Sequence, residues 1–260
     1  MSGIDGLDLR VADEIATLTL NRPARRNAVN RAMWRGLPEV LEAARAARVK
    51  VLVLTGAGEA FAAGADISEF DQVYADRATA GAYFGEIAAA MDALANFESP
   101  TLARIDGACV GGGLGLALCC DLRIASDRAR LGITPAKLGL MYALSDTKRL
   151  VDVVGPTRAK DILYTGRILT AGEAFGIGLI DAVTPLGDLD AAVAAKAEAI
   201  AGASQWSARK AKQIISRILD GQADDDTETN AWMLDAVEGD DFVEGRDAFL
   251  AKRAPKFPFR

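Results

Sequence analysis

Two short stretches carry the most suggestive chemistry in the chain. Residues 107–120 read GACVGGGLGLALCC, with no charge between Asp106 and Asp121 and three consecutive glycines at 111–113. Residues 56–66, GAGEAFAAGAD, combine glycine with small apolar residues in the same way. Glycine loses more backbone entropy on ordering than any other residue, so three in a row need a reason. One reason is close approach, because a loop without Cβ atoms lets a ligand reach the main chain. The first N–H groups of a helix lack intrahelical partners and lie at its positive end. Two such loops, each lending one N–H to the same oxygen, suit a carbonyl that becomes an oxyanion or enolate. Tight packing of a helix on a strand accounts for the triple glycine equally well. A dinucleotide fingerprint does not: GxGxxG from Gly111 needs a third glycine where the chain has Leu116, and there is no G-x-x-x-x-G-K-S/T phosphate loop.

What the chain lacks narrows the chemistry further. It contains no histidine, which removes Ser-His-Asp and Cys-His nucleophile systems, HExxH zinc sites and imidazole proton shuttles. Acid–base work must fall to Asp, Glu, Tyr, Lys or Cys. The net charge is −6 and no basic block is present, so nucleic acid is not an expected partner. The three cysteines, Cys109, Cys119 and Cys120, all lie in the apolar glycine run. An odd count there predicts reduced, buried thiols rather than disulfides. The N-terminal residues show no basic-then-apolar signal pattern. The uncharged run 107–120 is shorter than the roughly 20 residues needed to cross a bilayer. A soluble, cytoplasmic protein without membrane contact is the expectation.

The elements that must position these loops follow from periodicity. Residues 7–20 alternate and predict a hairpin turning near Asp13-Glu14. Asn30 reads as the N-cap of an amphipathic helix containing Pro38. VKVLVLTG (49–56) reads as a buried strand, 79–97 as a helix and SPTLARIDG (99–107) as a strand. Gly113–Cys120 reads as a helix and DLRIAS (121–126) as a strand. Strands alternating with helices predict an α/β fold. From about residue 145 the patterns are helical, punctuated by Gly and Pro, with GQADDDTETN (221–230) as a loop and one or two helices in 227–251.

GAGEAFAAGADI (56–67), IDGACVGGGLGLALCCDLRIAS (105–126), TPAKLGL (134–140) and GLIDAVTP (178–185) resemble the enoyl-CoA hydratase/isomerase family, the crotonase superfamily. NRPARRNAV (21–29) and EGRDAFLAKRAPKF (244–257) match it as well, so the likeness runs through nearly the whole chain in order. It implies a crotonase-like α/β spiral of ββα units over 1–200 and a C-terminal helical trimerisation region over 201–260. It also implies homotrimers or dimers of trimers. The implied substrate is an acyl-CoA thioester, with coenzyme A as part of the substrate and no separate cofactor or metal.

Carried onto this chain, the resemblance places the oxyanion-hole amides at Ala65 and Gly112. Ala63, Asp66, Ile67, Gly111 and Pro135 are the implied substrate contacts around them. The adenine end of coenzyme A is expected along Arg22–Val29, with Arg25, Arg26 and Lys252 as phosphate partners; taken singly, each of these cations also reads as a solvated surface charge. Asp66 also reads as a brace for its own loop.

Family hydratases use two glutamates, and their positions here hold Gly115 and Pro135; no glutamate occurs between Glu98 and Glu173. TPAKLGLMY (134–142) instead resembles the corresponding segment of methylmalonyl-CoA decarboxylases, which makes Tyr142 a candidate to orient a departing carboxylate or supply a proton. The alternative for Tyr142 is a packed aromatic. Asp146 is a second acid–base candidate, although Ser145 or Asp146 also suits a helix cap. Glu69, Glu86, Asp92 and Ser68 are weaker candidates. The expected function is an acyl-CoA enzyme that stabilises a thioester enolate, of decarboxylase-like lyase or isomerase type. The alternatives are a hydratase with a relocated acid and a catalytically silent acyl-CoA binder.

Overall fold

The computed structural model describes residues 4–258. Strands β1 (Leu7–Ala12) and β2 (Ile15–Leu20) form the expected antiparallel hairpin. Its turn residues Asp13 and Glu14 both have positive φ, 49° and 63°, the conformation that matches the twist of paired strands. A 3₁₀ turn, Pro23–Arg25, leads to helix α1 (Arg31–Ala46), whose N-cap Asn30 accepts from the Met33 N–H. Then follow β3 (Val51–Gly56), β4 (Ala60–Ala62), a 3₁₀ turn Ile67–Glu69, α2 (Phe70–Val73) and α3 (Arg77–Ala95). Next come β5 (Thr101–Ile105), β6 (Ala108–Val110), α4 (Gly112–Cys119), β7 (Leu122–Ser126) and β8 (Arg130–Gly132). After a 3₁₀ turn Pro135–Leu138 the chain forms α5 (Leu144–Thr165), β9 (Ile168–Thr170), α6 (Ala171–Gly176) and β10 (Ala182–Thr184). Four helices follow: α7 (Leu189–Ala201), α8 (Gln205–Leu219), α9 (Thr227–Glu238) and α10 (Asp240–Leu250).

The strands divide into two sheets, ordered β1-β2-β3-β5-β7-β10 and β4-β6-β8-β9. Three times in succession a strand of the large sheet is followed directly by one of the small sheet: β3 then β4, β5 then β6, β7 then β8. Within each sheet these strands pair in parallel. Each step therefore advances the chain one strand along both sheets, which is the crotonase-like spiral of ββα turns. One face of the large sheet packs into the main core with α1, α3 and α4. On the other face Val51, Val53, Leu102 and Ile124 meet Leu189, Val193 and Ala197 of α7.

Two local expectations need correction. Neither Ser145 nor Asp146 caps a helix: α5 begins at Leu144 after Ala143, with no side-chain cap, so Asp146 lies inside the first turn. The stretch 221–230 is not loop throughout. The Asp226 carboxylate accepts from the N–H groups of Glu228 and Thr229, and α9 starts at Thr227. Strands β4, β6, β8, β9 and β10 have three residues each, too short for alternation to announce them.

Candidate active site

The two glycine-bearing loops leave the small sheet side by side, because β4 and β6 are parallel neighbours in it. After β4, residues 63–66 are laced to residues 26–29: Ala63 N–H donates to Arg26 O, Val29 N–H to Gly64 O at 2.8 Å, and Asp66 N–H to Val29 O. Asn27, fully buried with φ 56°, clamps that segment in turn. Its Nδ2 donates to the carbonyls of Ala57 and Ala60, and its Oδ1 accepts from the Arg22 N–H. The Arg22 guanidinium donates to Asp66 Oδ2 at 2.8 Å and to Ala28 O. Asp66 Oδ1 accepts from the Ser68 N–H and hydroxyl. These hydrogen bonds, that from the Ser68 hydroxyl foremost, hold the Asp66 carboxyl below the usual carboxylate range.

The Ala65 N–H is the exception in this lacing. Neither it nor the Gly112 N–H donates to a protein acceptor among the described residues. Both residues are partly exposed, while Gly64, Asp66, Gly111 and Gly113 around them are buried. Gly111 (φ 54°, ψ −121°) turns the chain out of β6 so that Gly112 opens α4 with its free N–H outward. A Cβ built on Gly112 would lie 3.7 Å from the Ala65 nitrogen, and one built on Gly64 would lie 3.8 Å from the Gly112 nitrogen. Two unbonded donors from separate loops thus converge, one of them at a helix N-terminus. Gly113 does the packing: its Cβ would meet Ala62 O at 2.4 Å.

The donors open onto a cavity of about 430 Å³. Its wall is mostly apolar, with Trp34 from α1, Phe70 from α2, Phe84, Ile87 and Met91 from α3, and Leu138, Leu140 and Met141 from the segment before α5. Two titratable groups interrupt it. The Tyr142 hydroxyl is 3.4 Å from Gly111 O, and burial, followed by the nearby Asp146 charge, pushes it well above its ordinary range. Asp146 is 7% exposed. Burial raises its carboxyl, against the opposing pull of Arg149, whose Nη1 lies 2.9 Å from Asp146 Oδ1. Gly115 explains how Tyr142 reaches this place. A Cβ at 115 would come within 2.7 Å of the tyrosine hydroxyl and 2.8 Å of the Met91 methyl, so the phenol occupies the space a larger residue would fill.

The structure brings Ala63, Ala65, Ile67, Gly111, Gly112, Pro135, Tyr142 and Asp146 to this one cavity. Asp66 stands behind it as the ion-paired brace of the loop. Arg25, Arg26 and Lys252 are exposed and do not line the cavity. Glu69 accepts from the Arg31 N–H, Glu86 holds the guanidinium groups of Arg31 and Arg35, and Ser68 serves Asp66. Asp92 binds Arg149. The thiols are buried, and burial pushes that of Cys119 up to about 12, so no thiolate nucleophile is available near neutral pH. Among the described residues no cluster of three or more His, Cys, Asp or Glu is arranged to hold a metal ion. No helix among them is long and apolar enough to cross a membrane. Sequence reasoning missed Trp34, Met91 and Arg149. Only Arg149 left a signal, its i,i+3 spacing from Asp146.

Comparison with known proteins agrees with this geometry. The enoyl-CoA hydratase/isomerase family model matches residues 10–259. A Mycobacterium bovis protein named "Probable enoyl-CoA hydratase echA8" is 35% identical over 251 residues, covering 95% of each chain. A crotonyl-CoA hydratase from Syntrophomonas wolfei is 33% identical over 261 residues, with 97% of this chain and 98% of that one covered. The solved structure of a Hyphomonas neptunium protein, provisionally assigned to the same family, superposes with a TM-score of 0.96 at 45% identity, over all of both chains. With its spiral, its paired free amides and its sequence all in accord, the chain belongs to the enoyl-CoA hydratase/isomerase family.

Proposed function

We propose that the protein acts on an acyl-CoA thioester, with the thioester oxygen held between the N–H groups of Ala65 and Gly112. The observation that carries this reading is the pair of unbonded donors, from two loops, at the edge of an apolar cavity. Such donors favour an enolate over the ground-state carbonyl, because negative charge grows on the oxygen during reaction. Coenzyme A enters and leaves as part of the substrate. Gly115 and Pro135 stand where the family resemblance puts the two hydratase glutamates, which weighs against the usual two-glutamate hydration.

A decarboxylase-like lyase reaction fits the remaining groups. The bond to an α-carboxylate breaks, its electron pair passes into the enolate, carbon dioxide leaves and one proton returns to the α-carbon. No general base is needed to start this step, and the Tyr142 hydroxyl stands beside the cavity to orient the carboxylate or relay the proton. One observation favours a second reading. Asp146 lies in the same cavity with its carboxyl raised, which suits a relocated acid for hydration or isomerisation. Mass spectrometry after separate incubation with crotonyl-CoA and methylmalonyl-CoA tests both. Carbon dioxide lost from the second, with the first unchanged, is the expected result. Water added to the first alone would replace the lyase reading with the Asp146 one. No binding of any acyl-CoA would overturn the proposal.

A further inference from the structure

Asp146 reaches the cavity through an arrangement that the acyl-CoA reading does not by itself require. Arg149, one helical turn further along α5, bridges two carboxylates: Nη1 lies 2.9 Å from Asp146 Oδ1 and Nη2 lies 2.6 Å from Asp92 Oδ1. Asp92 belongs to α3 and Arg149 to α5, so the bridge ties together two helices that both contribute residues to the cavity wall. The Arg149 side chain is 18% exposed, that of Asp146 9% and that of Asp92 55%. The pair thus connects a carboxylate at the surface to one nearly withdrawn from water. Asp146 Oδ2 has no hydrogen-bond partner among the described residues. A carboxylate that lines a cavity and keeps one oxygen unpaired is placed to meet a ligand.

We infer that Arg149 is a positioning residue for Asp146, turning Oδ2 toward bound substrate, with Asp92 anchoring the guanidinium from α3. The inference rests on the acyl-CoA reading of the cavity. Its physical basis is the geometry of the guanidinium, which presents two N–H edges in a rigid plane. One edge fixed on Asp92 orients the other, so the Asp146 carboxylate is held by a donor that cannot swing away. Four groups face Asp146: Arg149 on its own helix, Asp92 on α3, Cys119 on α4 and Tyr142 on the preceding loop. Only Arg149 is cationic, and the thiol and phenol are neutral near neutral pH. Removing Arg149 therefore leaves burial and the Asp92 charge unopposed, and both favour the protonated acid.

The experiment is a titration of the Asp146 carboxyl in full-length protein by carbon-13 NMR, with the signal assigned through Asp146→Asn. Arg149→Met is expected to move the midpoint up by one pH unit or more, and Arg149→Lys to restore most of that shift. Asp92→Asn, which keeps an amide oxygen to accept from the guanidinium while removing a like charge, is expected to move it down. A shift below about 0.3 unit in Arg149→Met, or an equal upward shift in Arg149→Lys, overturns the inference. Should Arg149→Met not fold, Arg149→Gln, which also removes the cation, takes its place with the same two outcomes. The pH profile of turnover on the substrate found for the enzyme is the second readout, and its acidic limb should move with the NMR midpoint. A midpoint that moves while Asp146→Asn leaves turnover intact overturns the positioning role. Absence of all acyl-CoA binding in the unaltered protein defeats the acyl-CoA reading instead, and does so before any variant is made.

Discussion

Substituting Gly112 by alanine separates the oxygen-holding role of the glycine run from its packing role. The added methyl would lie 3.2 and 3.4 Å from two carbons of the Trp34 ring and 3.7 Å from the Ala65 nitrogen. The ring contacts need only a few tenths of an ångström of give. Gly112 also lies in helical conformation, without the positive φ of Gly111. Packing strain of about 1 kcal/mol is set against a gain of roughly 0.5–1 kcal/mol from replacing a helical glycine by alanine. Stability should therefore change by less than about 1 kcal/mol. The same methyl crowds the space beside Ala65 N–H, where a shared acceptor must sit. The main-chain N–H itself remains, so an oxygen pushed off one of the two donors would forfeit up to roughly 2.7–4 kcal/mol of barrier, a factor of about 10²–10³. Urea unfolding followed by fluorescence reads the first quantity, and turnover of the best acyl-CoA substrate reads the second. Gly113→Ala is the control: its Cβ would meet Ala62 O at 2.4 Å and Ala62 Cβ at 2.8 Å, so it should cost at least about 1–3 kcal/mol of stability. A Gly112→Ala protein that folds normally and keeps turnover within a factor of a few would refute the two-amide oxygen site.

Three other perturbations have signs fixed by the structure. Asn27→Ala strands the buried carbonyl of Ala60 and the partly exposed one of Ala57, and puts alanine at φ 56°; a loss of about 2–4 kcal/mol in urea unfolding is expected. The folded-state pKa of Asp66 lies below its unfolded value, so its contribution is present above the unfolded pKa and fades as pH falls through the folded one. Asp66→Asn should accordingly lower the thermal midpoint at pH 7 and lower it much less in strong acid. Asp146 has the opposite sign: its folded pKa is raised, so it lowers stability as pH rises past its unfolded value. Asp146→Asn, with Arg149 still bound to Asp92, should leave the urea midpoint at pH 7 unchanged or higher, and a clear fall would contradict the burial argument.

The loops that carry the two unbonded amides were legible in the sequence because glycine is the residue whose absence of a side chain is itself informative. AGAD and GGG marked both loops, and the hairpin, α1, α3 and α4 followed from periodicity to within two residues. The resemblance to a known family contributed what periodicity cannot, the joining of loops far apart in sequence. The part of the wall made by Tyr142 and Asp146 was far less legible. Asp146 reads as a helix cap until the structure shows α5 starting at Leu144. Asp92, which shares the Arg149 guanidinium with it, lies 54 residues earlier, and no local pattern couples the two. Gly115 looked like a missing acid, whereas in three dimensions it is the gap into which the Tyr142 hydroxyl fits. The short strands of the small sheet were hidden because each has too few residues to show a period.

Those short strands have a consequence for how the protein tolerates change. The Ala65 and Gly112 donors each stand a few residues past the end of one of two adjacent parallel strands. Their separation is thus set by a sheet spacing of about 4.8 Å, a property of peptide hydrogen bonding that no single side chain controls. Tyr142, Asp146 and Pro135 belong to another part of the chain, the connection from β8 into α5. Mutation can therefore alter the titratable groups at the cavity while the two amides keep their spacing. A scaffold divided in this way can change the groups around Tyr142 and Asp146 without first disturbing the spacing of the two amides.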